Sequence, residues 1–484
     1  MTNRTWVRLD NVSNIFLAAR TEADPKVFRI SAEMDHDVDP QLLQEALDVT
    51  YDRHRLYHAV LRSGVFWYYL QDSDLRPLVT AEEQPTCAQI YQSGRRNLLF
   101  RLMHHHRRII LEVFHALSDG TGALWFLTDV VTAYTRLRYP DQAGTRGQIG
   151  AEARPEVPTG RAPTGSQPVG DMGEPVHGLI PDSFAHYFRG RRRRVTSDDA
   201  AAFSREATPA ALTVAGDAGH SPEPESMLRR LRRPSGTKVH RVRGTRTPDN
   251  RTRAVELTMP AGDVLALARA NGASPTIFLT ALLFESIRLS SGGLGRFRTL
   301  AASVPVNLRQ FFPSTSARNF FATIRIEYTY GQGADDLGSI CRQLESQFRP
   351  KATPEALEKK VRRLIRLEQM PALRILPRPF KDVILGVVNR GNNRGLSVAV
   401  SNLGRVSLPE AADPHVRRMF FHVSAARPQI CAITHAGLLA VSFTSPFTET
   451  DHIREFARLL TSHGIDVTVG AARVTAAELE EAGS

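Results

Sequence analysis

Apolar positions along the chain recur with two periods, and the switch between them marks the elements. "KVFRISAEM" (26–34) reads as a strand. "DPQLLQEALDVTYDRH" (39–54) opens on Asp-Pro, a good helix start, because proline at the first helical position lacks only an N–H that would be unpaired anyway. "LYHAVLRS" and "VFWYYLQ" flank Gly64 and suit a hairpin, since aromatic and β-branched side chains fit a pleated surface. "LMHHHRRIILEVFHAL" reads as one extended run, apolar enough towards its end to be buried on both faces. From Gly120 onward Ala123, Phe126, Leu127, Val130, Val131 and Tyr134 fall at helical spacing, so this run feeds a long helix.

The pattern then lapses. Residues 141–250 are rich in Gly, Pro, Ser and Ala and hold too little apolar surface to offset chain entropy, so they read as a basic linker or partly disordered insertion. Within it "LIPDSFAHYF" (179–188) has the spacing of a short docking helix. Order returns with the strand "RAVELTMP", the helix "AGDVLALARANG" closed by Gly272, and the helix "SPTIFLTALLFESIRLS" opened by Ser274-Pro275. Strands "FRTLAASVPV" and "FATIRIEYTY" follow, then helices near 334–348, 354–370 and 378–390. Three strands come next, "LSVAVSN", "RMFFHVSAA" and "GLLAVSFTSP", and a last helix at about 450–463. Strands and helices mixed on both sides of the linker predict an α/β protein in two parts, 1–140 and 251–484.

At 484 residues the chain is long for one core, which agrees with two domains. Its net charge of +12 would steer nucleic acid, anionic lipid or an anionic substrate alike. Much of that charge lies in the linker, in "RGRRRR" (189–194), "RRLRRP" (229–234) and "HRVRGTRTPDNRTR" (240–253), where solvated linker charge is the simplest reading. Those runs lack interleaved aromatics that would stack on bases, so nucleic acid is not an expected partner. Cys87, Cys341 and Cys431 lie far apart without a CxxC and read as core thiols. The polar start "MTNRTWVRLDNVSN" does not resemble a signal peptide, and the longest apolar runs are too short to span a bilayer. The expectation is a cytoplasmic protein without a transmembrane segment, open to transient membrane contact.

Several common catalytic signatures are missing: GxxxxGK[ST], GxGxxG, HExxH and GxSxG. "HHH" at 104–106 does not make a metal site on a strand, because consecutive side chains point to opposite faces, and no metal is expected. The more specific pattern is "FHALSDG", with His115, Asp119 and Gly120 between the buried run and the helix. A histidine at a strand's end is held by rigid backbone yet faces open space, as a positioned base must. Equally, Ser118 or Asp119 could cap the helix while His115 packs in the core. The residues alone leave both readings open.

His115-Ala-Leu-Ser-Asp119-Gly120 resembles the HxxxDG signature of the superfamily of chloramphenicol acetyltransferase, carnitine and plant BAHD acyltransferases and condensation domains. Within it the chain most resembles the alcohol acetyltransferase-like branch, which includes polyketide-associated acyltransferases. The resemblance is spread along the chain, through "RTWVRLDNVSNIF", "RSGVFWYYLQ", "SPTIFLTALL", "VPVNLRQFFPSTSARNFF", "SNLGRVSLP" and "VSFTSPFTETD". It implies two similar chloramphenicol-acetyltransferase-like α/β domains around a central channel, with the basic linker outside the family pattern. It implies an acyltransferase that moves an acyl group from acyl-CoA, or from an acyl carrier protein, to an alcohol. No cofactor would be tightly bound, the acyl-CoA or acyl-pantetheine being a cosubstrate.

The roles implied for residues follow. His115 would be the general base, suited by an ordinary pKa near 6.5. Asp119 would pair with Arg309 and fix the loop, and Gly120 would permit close backbone approach. Ser401 and Asn402 in "AVSNLGRV" are oxyanion or channel candidates, a plain turn being the alternative for Asn-Leu-Gly. Asn319 and Phe320 would belong to the channel wall or crossover strand, and Trp67, Tyr68 and Tyr69 to the acceptor side or the core. Phe114 stands where condensation domains carry a second histidine, which favours ester over amide formation. The alternatives are an amide-forming condensation-type enzyme and a non-catalytic module that binds a carrier protein or pantetheine.

Overall fold

Asp39 and Pro40 show how local sequence sets the elements: the proline occupies the first helical turn and the Asp39 carboxylate accepts from the N–H groups of Gln41 and Leu42. The computed structural model describes residues 5–140, 183–188, 238–247, 250–296, 298–368 and 377–471. The N-terminal part runs β1 (Trp6–Arg8), α1 (Asn11–Ala19), β2 (Val27–Met34), α2 (Pro40–Arg53), β3 (Ala59–Ser63), β4 (Tyr68–Asp72), β5 (Thr80–Ala81), β6 (Phe100–His105), β7 (Arg108–Phe114) and α3 (Gly120–Arg138). After the short α4 (Ser183–Phe188) come β8 (Arg253–Pro260), α5 (Ala261–Ala270), α6 (Pro275–Ser290), β9 (Thr299–Asn307) and β10 (Phe321–Thr329). Helices α7 (Leu337–Phe348), α8 (Pro354–Glu368) and α9 (Arg378–Arg394) follow, then β11 (Val398–Arg405), β12 (Val416–Val423), β13 (Gln429–His435), β14 (Leu438–Ser445), α10 (Asp451–Ser462) and β15 (Thr468–Ala471).

The strands form three sheets. One has the order β10-β9-β11-β13-β14-β8-β15, another β12-β2-β7-β6-β5, and a small one β1-β4-β3. β11 runs parallel to both β9 and β13, and the long partners around them are antiparallel, so the fold is α/β with mixed sheets. β12 leaves its sequence neighbours and pairs antiparallel with β2, Phe421 opposite Ile30. The chain's C-terminal third therefore completes the sheet that carries β7. Two cores follow this division: one groups Phe28, Phe114 and Phe126 with Phe420, Phe421 and Cys431, and the other groups Phe278, Phe284 and Phe320 with Val400 and Phe456.

Several features differ from the sequence expectation or lie beyond it. "LMHHHRRIILEVFHAL" is a hairpin rather than one strand: β6 and β7 pair as His105 opposite Arg108, with His106 left-handed at φ 48° in the turn. His106 and Arg107, read as part of one extended run, form the turn. Helix α1 and strands β1, β5, β13 and β15 have no counterpart in the sequence expectation. "LIPDSFAHYF" does yield the helix α4, whose Phe184 and Phe188 are buried in the second core. Residues 179–182 and the arginine runs 189–194 and 229–234 lie outside the described residues.

Candidate active site at the end of β7

β7 ends at Phe114, and the next residue is His115, whose backbone N–H donates to Lys26 O (2.8 Å) and so keeps the chain against β2. Four residues later Asp119 begins α3. Its extended backbone is that of a helix cap, and Oδ1 accepts from Gly122 N at 2.9 Å. Its Oδ2 accepts from Arg309 Nη1 (2.7 Å) and from Phe320 N (2.8 Å). Arg309 also donates through Nη2 to Ser316 O (2.7 Å) and Arg318 O (2.6 Å). One carboxylate thus caps a helix and holds the loop before β10, on the other half of the chain, to the turn that presents His115. The cap that the sequence offered for Asp119 and the Arg309 pairing that the resemblance implied are both present in one side chain.

Two glycines let these segments close. A methyl group on Gly120 would stand 2.7 Å from Leu403 Cδ2, and one on Gly122 would lie 2.2 Å from Ala317 O and 2.4 Å from Ser118 Oγ. Real Cβ atoms do not approach that closely: at Gly122 the obstacle is backbone and the position needs hydrogen, whereas at Gly120 the end of the Leu403 side chain would have to shift. Ser118 Oγ donates to Ala317 O (2.6 Å) beside them.

His115 is positioned by rings and by one amide. Phe16 of α1 stacks on the imidazole (centroids 4.0 Å apart, planes 16° apart), and Phe28 meets it edge-on at 4.9 Å. Asn319 lies against it: Nδ2 donates to His115 O (2.7 Å) and to Ser13 Oγ (2.8 Å), and Oδ1 is 3.2 Å from His115 Nδ1. These bonds have a direction. The Asp10 carboxylate, paired with buried Arg318 (3.2 Å), can only accept, so Ser13 Oγ donates to it (2.9 Å) and must accept from Asn319 Nδ2. The amide orientation is thereby set, Oδ1 faces the ring, and Nδ1 carries the proton. Nε2 keeps the lone pair. Burial pushes the imidazole pKa down to about 4, against the raising influence of Asp119, of the residue's own carbonyl and of Asn319, so the ring is neutral at pH 7.

The remaining candidates divide. Asn402 Nδ2 donates to Thr276 Oγ1 (3.0 Å) and its Oδ1 accepts from Gly404 N (2.8 Å), so this amide braces the strand end against α6. Ser401 pairs in register with Cys431, a residue of the N-terminal core, and therefore faces the half that holds His115. Phe320 is fully buried in the second core. Trp67 lies between the Arg8 guanidinium (3.2 Å from the ring centroid) and Lys381 Nζ (3.5 Å). Tyr68 donates to Asp382 Oδ2 (3.0 Å), and Tyr69 meets Trp6 edge-on. None of these three aromatics touches His115 through a ring contact.

Sequence reasoning missed Asp10, Ser13, Phe16, Arg318 and Gly122. A signal existed for α1: Asp10 followed by "NVSNIFLAA" is a cap before a helical run. Nothing local announces that this helix reaches His115, because the contact joins residues about a hundred positions apart.

The fold has counterparts among solved structures. The trichothecene 15-O-acetyltransferase of Fusarium sporotrichioides superposes with a TM-score of 0.57 at 10% identity, covering 95% of this chain and 96% of that one. The starter condensation domain of rhizomide synthetase, in complex with C8-CoA and Leu-SNAC, gives 0.55 at 12% identity over 95% and 94%. Polyketide synthase associated protein 5 of Mycobacterium tuberculosis gives 0.50 at 14% identity over 94% and 96%. The chain has the fold of the condensation-domain and chloramphenicol-acetyltransferase-like proteins. No family model and no curated protein matches the sequence.

Proposed function

We propose that the protein is an acyltransferase that moves an acyl group from a CoA or carrier-protein thioester to an alcohol, with His115 as general base and acid. The observation that carries this reading is the fixed tautomer of His115: a rigid strand end presents a neutral imidazole whose Nδ1 is bonded to Asn319, leaving Nε2 basic. The fold shared with an O-acetyltransferase supports it. In this reading residues 1–140 and 251–484 form two domains flanking a channel, and donor and acceptor meet at Nε2.

Nε2 takes the hydroxyl proton as the acceptor oxygen attacks the thioester carbonyl carbon. The tetrahedral intermediate then breaks its C–S bond, and the thiolate receives the proton from Nε2. The low pKa makes imidazolium a strong acid that readily returns its proton, and requires proton removal to accompany C–O bond formation. Asp119 acts through position, since its oxygens are taken up by Arg309, Phe320 N and Gly122 N. Ser401 is the oxyanion donor in this scheme and Asn402 its brace. No acyl-enzyme and no metal is required. Phe114, beside the base, favours the ester over the amide reaction.

The test is thiol release from a panel of acyl-CoAs and pantetheine thioesters with alcohols and amines as acceptors. Wild type releases thiol with an alcohol, and His115→Ala loses about a hundredfold to ten-thousandfold while keeping its melting temperature within a few degrees. Undiminished activity in His115→Ala overturns the assignment of the base, and turnover with amines alone overturns the ester reading.

A further inference from the structure

Seven of the fourteen exposed large hydrophobics among the described residues gather on one surface. On α9, Phe380, Val383, Ile384, Val387 and Val388 are all exposed, Phe380, Val383 and Val387 by more than 60%. Their spacing puts them on a single face of the helix. The opposite face seats the helix on the protein: Gly386 packs against Ala18 O of α1, and Asp382 accepts from Tyr68. Exposed Val65 and Phe66, at the tip between β3 and β4, join the same surface, because Arg378 N donates to Val65 O (3.0 Å) and Lys381 Nζ to Phe66 O (3.1 Å). Scattered surface hydrophobics need no explanation, but a continuous stripe with an adjoining aromatic tip does.

Charge says what the surface meets. Asp382 is the sole carboxylate on α9, and it is turned inward to Tyr68, while Arg390 and Arg394 are exposed towards the far end of the helix and Lys381 stands near its start. A convex apolar stripe bordered by cations, with no outward acid on the helix, complements an apolar layer beneath anionic headgroups. We infer that α9 and the β3–β4 tip form a membrane-docking surface for an anionic lipid bilayer, the apolar face entering the interface and the arginines meeting phosphate. α1 lies between this surface and His115, since its Phe16 stacks on the imidazole, so docking brings the candidate site next to the bilayer. The inference stands whether or not His115 is the base.

The experiment is flotation of the full chain with vesicles of phosphatidylcholine alone or mixed with phosphatidylglycerol. Wild type floats with the anionic vesicles, and Val383→Asp with Val387→Asp lowers the bound fraction at least about tenfold without changing the thermal melt, both positions being exposed. Arg390→Glu with Arg394→Glu gives a smaller loss that high salt reproduces in wild type. Wild type that stays with neither vesicle overturns the inference. So does an aspartate pair that floats undiminished while deletion of 189–237 abolishes binding, since the arginine runs then hold the lipid. A chain that sediments as a dimer and becomes monomeric in the aspartate pair, with vesicle binding unchanged, shows that a second copy covers this face and overturns it too.

Discussion

Asp119 and His115 sit four residues apart on one turn, and the structure treats them in opposite ways. Asp119 is saturated: a cap bond to Gly122 N, a backbone bond to Phe320 N and an ion pair with Arg309 leave it no reason to move. His115 is bonded at its ring to Asn319 and to its own carbonyl, and is otherwise held by the faces and edges of aromatic rings. Packing fixes where the imidazole is, and the directional bond to Asn319 fixes which nitrogen is basic. The contrast separates a residue whose oxygens are used up within the fold from one to which the proposed reaction assigns the base.

Perturbing the saturated side has the largest effect on folding. Arg309→Ala leaves the buried Asp119 charge with backbone donors alone, costs about 3 kcal/mol, and lowers the melting temperature together with thiol release. His115→Ala does the reverse, losing turnover with little change in the melt. Should Arg309→Ala melt like wild type, the brace assigned to Asp119 is wrong. Gly122→Ala comes next: its methyl group collides with Ala317 O and Ser118 Oγ, forces the two segments apart, and costs about 1–3 kcal/mol in denaturant titration. A Gly122→Ala chain as stable as wild type shows that this contact is slack.

The intermediate prediction concerns pH. Burial puts the His115 pKa near 4, below its ordinary 6.5, so the neutral base persists in the free chain down to about pH 4 and the acid limb of kcat/KM falls there. The stability sign follows: between 6.5 and 4 the unfolded chain takes up the proton before the folded one, so this group's contribution is present above 6.5 and is lost as the pH falls towards 4. His452, also pushed to about 4 by burial, acts in the same direction. Asn319→Asp sets a carboxylate beside Nδ1, favours imidazolium, and moves the acid limb to higher pH, read from rate profiles. An unmoved limb shows that Asn319 does not govern the ring.

What is legible in the sequence follows from locality. The capped starts of α2 and α3, the hairpin around Gly64 and the alternation of strands and helices are set by residues within a few positions of each other, and the pattern shows them. The turn at His106–Arg107 stays hidden, because three histidines and two arginines carry no alternation and no glycine to mark a bend. Asp119 and Arg309 enter by resemblance, and the structure supplies their 2.7 Å contact. Asn319 reads as channel wall, since its placement beside His115 depends on α1, β2 and the β9–β10 connection meeting in space. β12 is recognisable as a strand but not as a member of the N-terminal sheet, because a strand's own pattern does not name its partner.

The smallest predicted effect lies at the far end of the directional chain. Ser13 touches neither the His115 ring nor any reacting atom, so it is a positioning residue: its hydroxyl donates to Asp10 and accepts from Asn319 Nδ2. Ser13→Ala removes that acceptor and leaves Asn319 Nδ2 its bond to His115 O alone, so the amide is held less firmly with Oδ1 towards the ring. The fraction of His115 carrying its proton on Nδ1 falls, kcat drops roughly twofold to fivefold, and KM is unchanged, because the loss is of competent base rather than of substrate contact. The helix cap survives, since Ser13 N still donates to Asp10 Oδ1, so the melt moves by under about 1 kcal/mol. Ser13→Thr, which restores a hydroxyl, restores kcat. A change confined to KM, or one that threonine does not reverse, assigns the serine to packing and leaves the tautomer to Asn319 alone.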